Sequence, residues 1–404
     1  MRNNKPRYKN SSKSFGRNAG GRGYSTGRRI KSWEVSELMR VVQRDGLKRT
    51  ESKTVGVVVE ENINSFEDFR VSDQIMRNIR SRGYTKPTPI QDKAIPLIMA
   101  GKDLVGNANT GTGKTAAFLI PLIDKVYKNR TQKVLIVTPT RELSVQNYDE
   151  FKSLSTGMGM YSALCIGGTN MRKQISDLKK YPNFVIGTPG RLKDLIKKKF
   201  LDLSTFNNVV LDEADLMVDI GFVNEIKFFI SLLPQQRQSL FFSATFPAKV
   251  EEIIKAFLKN PVTVNVKKGD TLENIEQLVV KINGQKKIEV LDETLKKQGF
   301  DKVLIFGRTK HGVQDLSDDL VKRGYKAGAI HGNKRQSQRL QTLNKFKSNE
   351  LTILLATDVA ARGLDIDNVS HVINYDMPES YEVYIHRIGR TGRIDKKGVA
   401  LTFV

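Results

Sequence analysis

From about Phe66 onward the chain alternates between short apolar runs and longer amphipathic stretches. The runs Leu104-Val105, Val134 to Val137, Phe184 to Ile186, Val209 to Leu211 and Leu240 to Phe242 form one series. After a break near residues 267–275 a second series follows: Val303 to Phe306, Ile353 to Leu355, Val372-Ile373 and Val399 to Val404. Strands alternating with helical segments predict an α/β fold, with parallel sheets covered by helices on both faces. Two series predict two such domains. The expected organisation is a basic, largely disordered extension over 1–62, a first domain over 63–266, a linker over 267–275 and a second domain over 276–404. Open parallel sheets bind ligands off the carboxyl ends of their strands, so chemistry is expected there.

Composition changes this picture at the N-terminus. The formal net charge is +24, an excess that points to a polyanionic partner, nucleic acid first. Residues 1 to about 31 hold many Lys and Arg and no Asp or Glu. Such a stretch cannot bury enough apolar surface to fold. Gly20-Gly21-Arg22-Gly23-Tyr24 mixes cations with a stackable ring, as flexible RNA-binding tails do. A transit peptide would also be basic and acid-poor, but an amphipathic apolar face is missing. A short helix from Trp33 to about Val42 and the apolar run Val57 to Val59 have no assigned purpose. The single cysteine, Cys165, lies in an apolar run and is expected to pack rather than react; it leaves no internal disulfide framework. That fits a reducing, cytoplasmic setting. No stretch approaches the roughly 20 apolar residues that cross a bilayer, so no membrane partner is expected.

The first candidate chemistry follows Leu104-Val105. Ala108-Asn109-Thr110-Gly111-Thr112-Gly113-Lys114-Thr115 opens a helical run from Ala116 to Val126. Glycines there let backbone N–H groups turn inward on phosphate oxygens, and the helix N-terminus adds a favourable field. Lys114 is expected to reach the β and γ phosphates of a nucleotide, and the Thr115 hydroxyl to bind Mg2+. Asp212-Glu213-Ala214-Asp215 follows the apolar run Val209 to Leu211, so its carboxylates emerge at the same sheet edge. Asp212 is assigned to the metal through water, and Glu213 to the attacking water.

At this point the sequence resembles the DEAD-box helicases of superfamily two, from about Phe66 to the last residue. Gly83-Tyr84-Thr85-Lys86-Pro87-Thr88-Pro89-Ile90-Gln91, with Phe66 upstream, resembles that family's adenine-reading motif. The Gln91 amide can both donate to and accept from an adenine edge, and Tyr84 offers a ring for stacking. Pro139-Thr140-Arg141-Glu142-Leu143, Gly167-Gly168 and Thr188-Pro189-Gly190-Arg191 resemble its first-domain RNA contacts, on Thr140, Arg141, Gly168, Thr188, Gly190 and Arg191. Ser243-Ala244-Thr245 resembles the motif that couples hydrolysis to strand opening. In the second half, Phe306-Gly307-Arg308-Thr309 follows a strand, and Gln336 and Arg339 fit a Gln-x-x-Arg element, which the resemblance puts on RNA. In Ala356 to Asp365 the resemblance puts Thr357 on RNA and Gly363 and Asp365 on the nucleotide, Asp365 at its ribose. His386-Arg387-Ile388-Gly389-Arg390-Thr391-Gly392-Arg393 implies a coupling role for His386 and γ-phosphate fingers on Arg390 and Arg393.

The resemblance implies two RecA-like domains, ATP and Mg2+ as cofactors, single-stranded RNA and short RNA duplexes as partners, and a monomer. It implies RNA-stimulated ATP hydrolysis coupled to opening short duplexes or remodelling RNA–protein contacts. It also implies a further helix beyond Val399 to Val404. An ATP-gated RNA clamp with little turnover, a DNA-directed helicase and a role carried mainly by the basic tail are the competing readings.

Overall fold

The computed structural model describes residues 64–108, 111–266, 274–297, 299–361, 364, 366, 369–392 and 397–404. The expectations for residues 1–62 therefore lie outside the described residues, as does most of the 267–275 stretch.

Seven strands form the first sheet: β1 Leu104–Asn107, β2 Val134–Val137, β3 Ser162–Cys165, β4 Phe184–Gly187, β5 Asn208–Leu211, β6 Gln238–Ser243 and β7 Val262–Asn265. Their order is β3-β4-β2-β5-β6-β1-β7, and every pairing is parallel. Six strands form the second sheet: β8 Ile275–Val280, β9 Val303–Phe306, β10 Ala327–Ile330, β11 Ile353–Ala356, β12 His371–Asn374 and β13 Gly398–Phe403. Their order is β10-β11-β9-β12-β13-β8, again all parallel. Two α/β lobes flanked by helices are thus present, as the apolar runs imply.

Successive side chains of a strand point to opposite faces, and the core splits along that line. Leu104, Val134, Ile136, Phe184 and Phe242 enter one apolar cluster, while Val105, Leu135, Val137, Val185 and Phe241 enter another. The second sheet divides likewise, with Val303 and Ile305 on one side and Leu304 and Phe306 on the other. Burial on both faces explains why the central strands read as continuous apolar runs. Helix Lys114–Lys128 is buried nearly all round, with Phe118 against Phe242 at 5.4 Å between ring centroids. It fixes the loop after β1 to the interior of the lobe. Gly106 is required where β1 passes β6, because a Cβ there would meet the Phe242 ring at 2.5 Å. Cys165 ends β3 fully buried, and burial pushes its thiol up to about 12, so it packs and does not react. Among the described residues no helix is long and apolar enough to cross a membrane.

Candidate functional site

Most described motifs after the adenine-reading one lie at or just past the carboxyl end of a strand; Gln336 and Arg339 lie in the helix after β10, and His386 to Ile388 end a helix. After β1, Gly111 (φ +78°) and Gly113 (φ +92°) take left-handed backbone, which only glycine adopts at little cost. Lys114 then starts its helix with 6% of its surface exposed, and its Nζ has no hydrogen-bond partner among the described residues. A buried ammonium without a partner is costly, so this position fits a lysine built to meet an anion. Thr110 lies outside the described residues; Thr112 and Gly113 are half-buried.

The acidic pair faces that lysine. Asp212 is 2% exposed; Oδ2 accepts from Asn147 Nδ2 at 3.1 Å, while Oδ1 has no partner among the described residues. Asn147 Oδ1 in turn accepts from the Thr115 hydroxyl at 3.2 Å. Thr115 and Asp212, the two residues expected at a metal, are therefore joined through one buried amide. An unpartnered carboxylate oxygen beside a threonine hydroxyl is an oxygen donor set that suits a hard divalent cation. Burial raises the Asp212 pKa, against the pull of Lys114.

Glu213 sits in left-handed backbone, φ 50° and ψ 54°, immediately before helix Ala214–Ile220, and its side chain makes no capping hydrogen bond to that helix. That strain is of order 1–3 kcal/mol for a non-glycine residue and marks positions held for a purpose. Burial pushes its pKa up to about 7; Lys114 and Arg390 pull it down, and Asp212 and Asp215 push it further up. Arg390 comes from the other lobe, so the field of the second lobe acts on the carboxylate of the first. Arg390 is 7% exposed, and its Nη1 donates to the Leu364 carbonyl at 2.7 Å. Three residues earlier, Arg387 is spent on structure. Its guanidinium holds Asp358 at 2.6 and 2.8 Å, donates to Asn374 and Asp376, and lies over the Phe306 ring. His386 lines a small cleft with Asp358, Arg387 and Arg390. Arg393, Gly363 and Asp365 lie outside the described residues.

At the expected adenine end, Gln91 is 3% exposed and both ends of its amide are engaged. Oε1 accepts from the Thr88 amide at 3.0 Å, and Nε2 donates to the Gly113 carbonyl at 3.1 Å. Gln91 thus touches the phosphate loop directly, and each amide atom retains capacity for one more hydrogen bond. Tyr84 is half-buried; its hydroxyl donates to Glu150 at 2.6 Å, and its ring stacks on Phe66 at 6.2 Å. Phe66 itself is 2% exposed, so it backs the Tyr84 ring and offers no open face of its own.

The expected RNA contacts fall into two groups. Thr140, Arg141, Gly168, Thr188, Gly190 and Arg191 follow β2, β3 and β4 along one edge. Thr140 Oγ1 caps its helix by accepting from the Leu143 amide. Gly168 has φ +75°, and a Cβ on it would collide with the Arg141 guanidinium. Arg191 donates to Gln174 Oε1 at 2.9 Å, and Gln174 Nε2 is tied to the Ile166 carbonyl and Thr169. Across the cleft, Thr357 follows β11 half-buried. Gln336 and Arg339 do something the sequence does not suggest: they reach the first lobe. Gln336 Nε2 donates to Glu142 Oε1 at 2.9 Å, and Arg339 Nε lies 3.0 Å from the same oxygen. Glu142 and Gln336 are each 2% exposed, so this bridge is buried.

The residues expected to couple, Ser243 and Thr245, gather on Asp215. Its Oδ2 accepts from the amides of Ala244 and Thr245 and from the Thr245 hydroxyl, at 3.2, 3.0 and 3.0 Å. The Ser243 hydroxyl donates to the Thr245 carbonyl at 2.7 Å. The loop after β6 is therefore tied to the loop that carries Asp212 and Glu213. Three functional positions were invisible to motif reading: Asn147, Glu142 as a bridge between lobes, and Gln174 as the support of Arg191. The only signal available was polar residues placed on the inward faces of amphipathic helices.

The similarity of this chain to known proteins agrees with that geometry. Residues 88–253 match the DEAD/DEAH box helicase family model, and residues 286–395 match the helicase conserved C-terminal domain. The chain is 44% identical over 344 residues to the ATP-dependent RNA helicase CshA of Listeria monocytogenes, covering 85% of this chain and 66% of that one. It is 44% identical to the DEAD-box ATP-dependent RNA helicase CshA of Geobacillus kaustophilus, over 85% of this chain and 74% of that one. Among solved structures, a DEAD box protein from Methanococcus jannaschii is 40% identical, with a TM-score of 0.50 over 84% of this chain and 93% of that one. Saccharomyces cerevisiae Dbp5 bound to RNA and ADP BeF3 is 30% identical, with a TM-score of 0.74 over 84% of this chain and 89% of that one. With both helicase domains in order and the phosphate loop, acid pair and opposing arginine in place, the chain belongs to the DEAD-box ATP-dependent RNA helicases.

Proposed function

We propose that this helicase opens short RNA duplexes, or remodels RNA–protein complexes, by closing its two lobes on ATP and single-stranded RNA. The observation that carries the reading is the division of the catalytic centre. Lys114, Asp212 and Glu213 belong to one lobe and Arg390 to the other, yet Arg390 acts on the Glu213 carboxylate. The buried Glu142–Gln336 hydrogen bond ties the same two lobes beside the RNA row. The likeness to Dbp5 bound to RNA and ADP BeF3, with a TM-score of 0.74 at 30% identity, supports RNA and nucleotide as the ligands.

In this reading Lys114 and the loop amides hold the β and γ phosphates, Gln91 and Tyr84 hold the adenine, and Arg390 and Arg393 approach the γ-phosphate from the facing lobe. Gly363 and Asp365 complete the nucleotide site. Thr115 and Asp212 would hold Mg2+, which supplies charge neutralisation on the phosphate oxygens. Glu213 takes a proton from the attacking water, and Asp215 relays the state of the acid loop to Ser243 and Thr245. Thr140, Arg141, Gly168, Thr188, Gly190, Arg191 and Thr357 carry the RNA backbone, with Gln336 and Arg339 locking the lobes beside it. Contacts of that kind read little sequence.

Because RNA and ATP favour the same closure, each should tighten the other by the same factor, typically 5–150-fold. ATP affinity measured with and without single-stranded RNA tests that coupling. ATP turnover measured with matched single strands tests the choice of RNA: RNA should stimulate it, and equal stimulation by DNA would overturn the reading. The Asn147 amide gives a separate check. Asn147→Leu should weaken ADP binding about tenfold in Mg2+ and leave it unchanged in EDTA, because side chains that orient the ligands of a metal typically contribute about 10–100-fold to its site. Equal loss in both buffers would show that the amide serves packing alone.

A further inference from the structure

The motifs occupy the carboxyl ends of the strands, but the opposite end of the first lobe has a chemistry of its own. Tyr127, Tyr161, Tyr181 and Phe200 are 38, 64, 80 and 41% exposed, and all four precede strands at the amino edge. Three of the loops there meet. Asn183 Nδ2 donates to the Arg130 carbonyl at 3.2 Å, the Asn183 amide donates to the Tyr161 carbonyl at 3.0 Å, and Arg130 Nη2 donates to the Met158 carbonyl at 2.7 Å. The Arg130 guanidinium lies over the Tyr127 ring at 5.1 Å. Segments 127–133, 158–162 and 179–183 contain Lys128, Arg130, Lys133, Lys179 and Lys180, and no Asp or Glu. Lys128 is paired with Asp124 and Lys180 weakly with the half-buried Asp177; Lys179 and Lys180 are both exposed.

Tyr181 has the clearest signature. It stands in left-handed backbone, φ +51°, where a bulky residue is a genuine outlier and Gly or Asn would be at ease. Its ring is 80% exposed, so core packing does not compensate that strain. Its backbone N–H closes the end of the preceding helix on the Leu178 carbonyl at 3.0 Å, a turn that Gly or Asn would make without strain, so the bulky ring at this position points to function. Rings that are exposed, rigidly based and interleaved with cations are what single-stranded nucleic acid uses: bases stack on the rings and phosphates pair with the cations.

We infer that the amino edge of the first lobe, built on Tyr127, Arg130, Tyr161, Lys179, Lys180 and Tyr181, is a second binding surface for single-stranded RNA. It lies on the side away from the nucleotide cleft and does not depend on lobe closure. Charge favours RNA over the chain's own N-terminal extension, which is also basic and would be repelled.

The test is direct binding of a labelled uridine-rich single strand to the full chain without nucleotide, across a salt series. Tyr181→Asn and Tyr161→Ala should each lower affinity about fivefold or more, the scale of one lost base–aromatic stack. Tyr181→Asn should leave the thermal midpoint equal or higher, since Asn tolerates that backbone. Replacing Lys179 and Lys180 by Glu should flatten the salt dependence of binding. RNA affinity equal to wild type in all three variants would overturn the inference and leave this face to a protein partner or to none. A lowered thermal midpoint in Tyr181→Asn would also overturn it, because the ring would then be serving the fold.

Discussion

Arg390→Ala is expected to lower the RNA-stimulated turnover of ATP by about 10³-fold or more, the scale on which arginine fingers act in phosphoryl transfer. The geometry explains why the effect should fall on turnover. Arg390 is 7% exposed in the second lobe, anchored by the Leu364 carbonyl at 2.7 Å, and its charge already lowers the pKa of Glu213 in the first. A guanidinium held in that way is oriented before the phosphate arrives, so little reorganisation is needed in the transition state. Arg390→Lys should recover little of the loss, because a point charge on a flexible stem does not reproduce a planar fork. ATP affinity should change far less than the rate, since Lys114 and the loop after β1 remain. A loss below about tenfold, with stability unchanged, would remove Arg390 from the catalytic centre. Arg387→Ala makes the contrasting comparison: its partners are Asp358, Asn374 and Asp376, so its loss should appear first as instability of the second lobe.

That contrast shows what a sequence can and cannot say. Arginines spaced by three look alike in a polar run; only their partners separate Arg387, held by Asp358, from Arg390, whose field reaches Glu213. Strands follow a similar rule. The nine apolar runs correspond to β1, β2, β4, β5, β6, β9, β11, β12 and β13. The four strands outside the two series of runs, β3, β7, β8 and β10, are the outer strands of the two sheets. An outer strand has one neighbour and less cover, so its residues need not all be apolar. β7 is Val-Thr-Val-Asn with only Val264 buried, and β8 mixes Glu276 and Gln277 with its apolar residues. β10 is Ala-Gly-Ala-Ile, where Gly328 makes room for Leu351 and Thr342. The candidate site divides on the same ground. Residues whose role is local, such as Lys114 in its glycine loop or Asp212 at the end of a buried strand, are visible in the sequence. Asn147, Glu142 and Gln174 act through partners 17 to 194 residues away, and no window along the chain contains both members.

Glu213→Gln should lower turnover by about 10²–10⁴-fold, the range assigned to a positioned general base, while ATP and RNA binding persist. Gln conserves the volume and the left-handed backbone that Glu213 already adopts at φ 50°, so the acid loop and its link to Asp215 should stay in place. What disappears is the ability to take a proton. In the wild type that ability is tuned by burial, which pushes the Glu213 pKa up to about 7 against the pull of Lys114 and Arg390. A carboxyl with a raised pKa is protonated, and idle as a base, below that value. Turnover should therefore rise with pH up to about 7 and then level off. The Gln variant, with no carboxyl to ionise, should lose that limb. Because a protonated Glu213 and a Gln have nearly the same shape and charge, wild type at low pH and the variant at neutral pH should bind RNA equally well in the presence of ATP. If the variant instead kept the rising limb, the proton acceptor would be another group, and Asp212, whose pKa burial also raises, would be the residue to replace next.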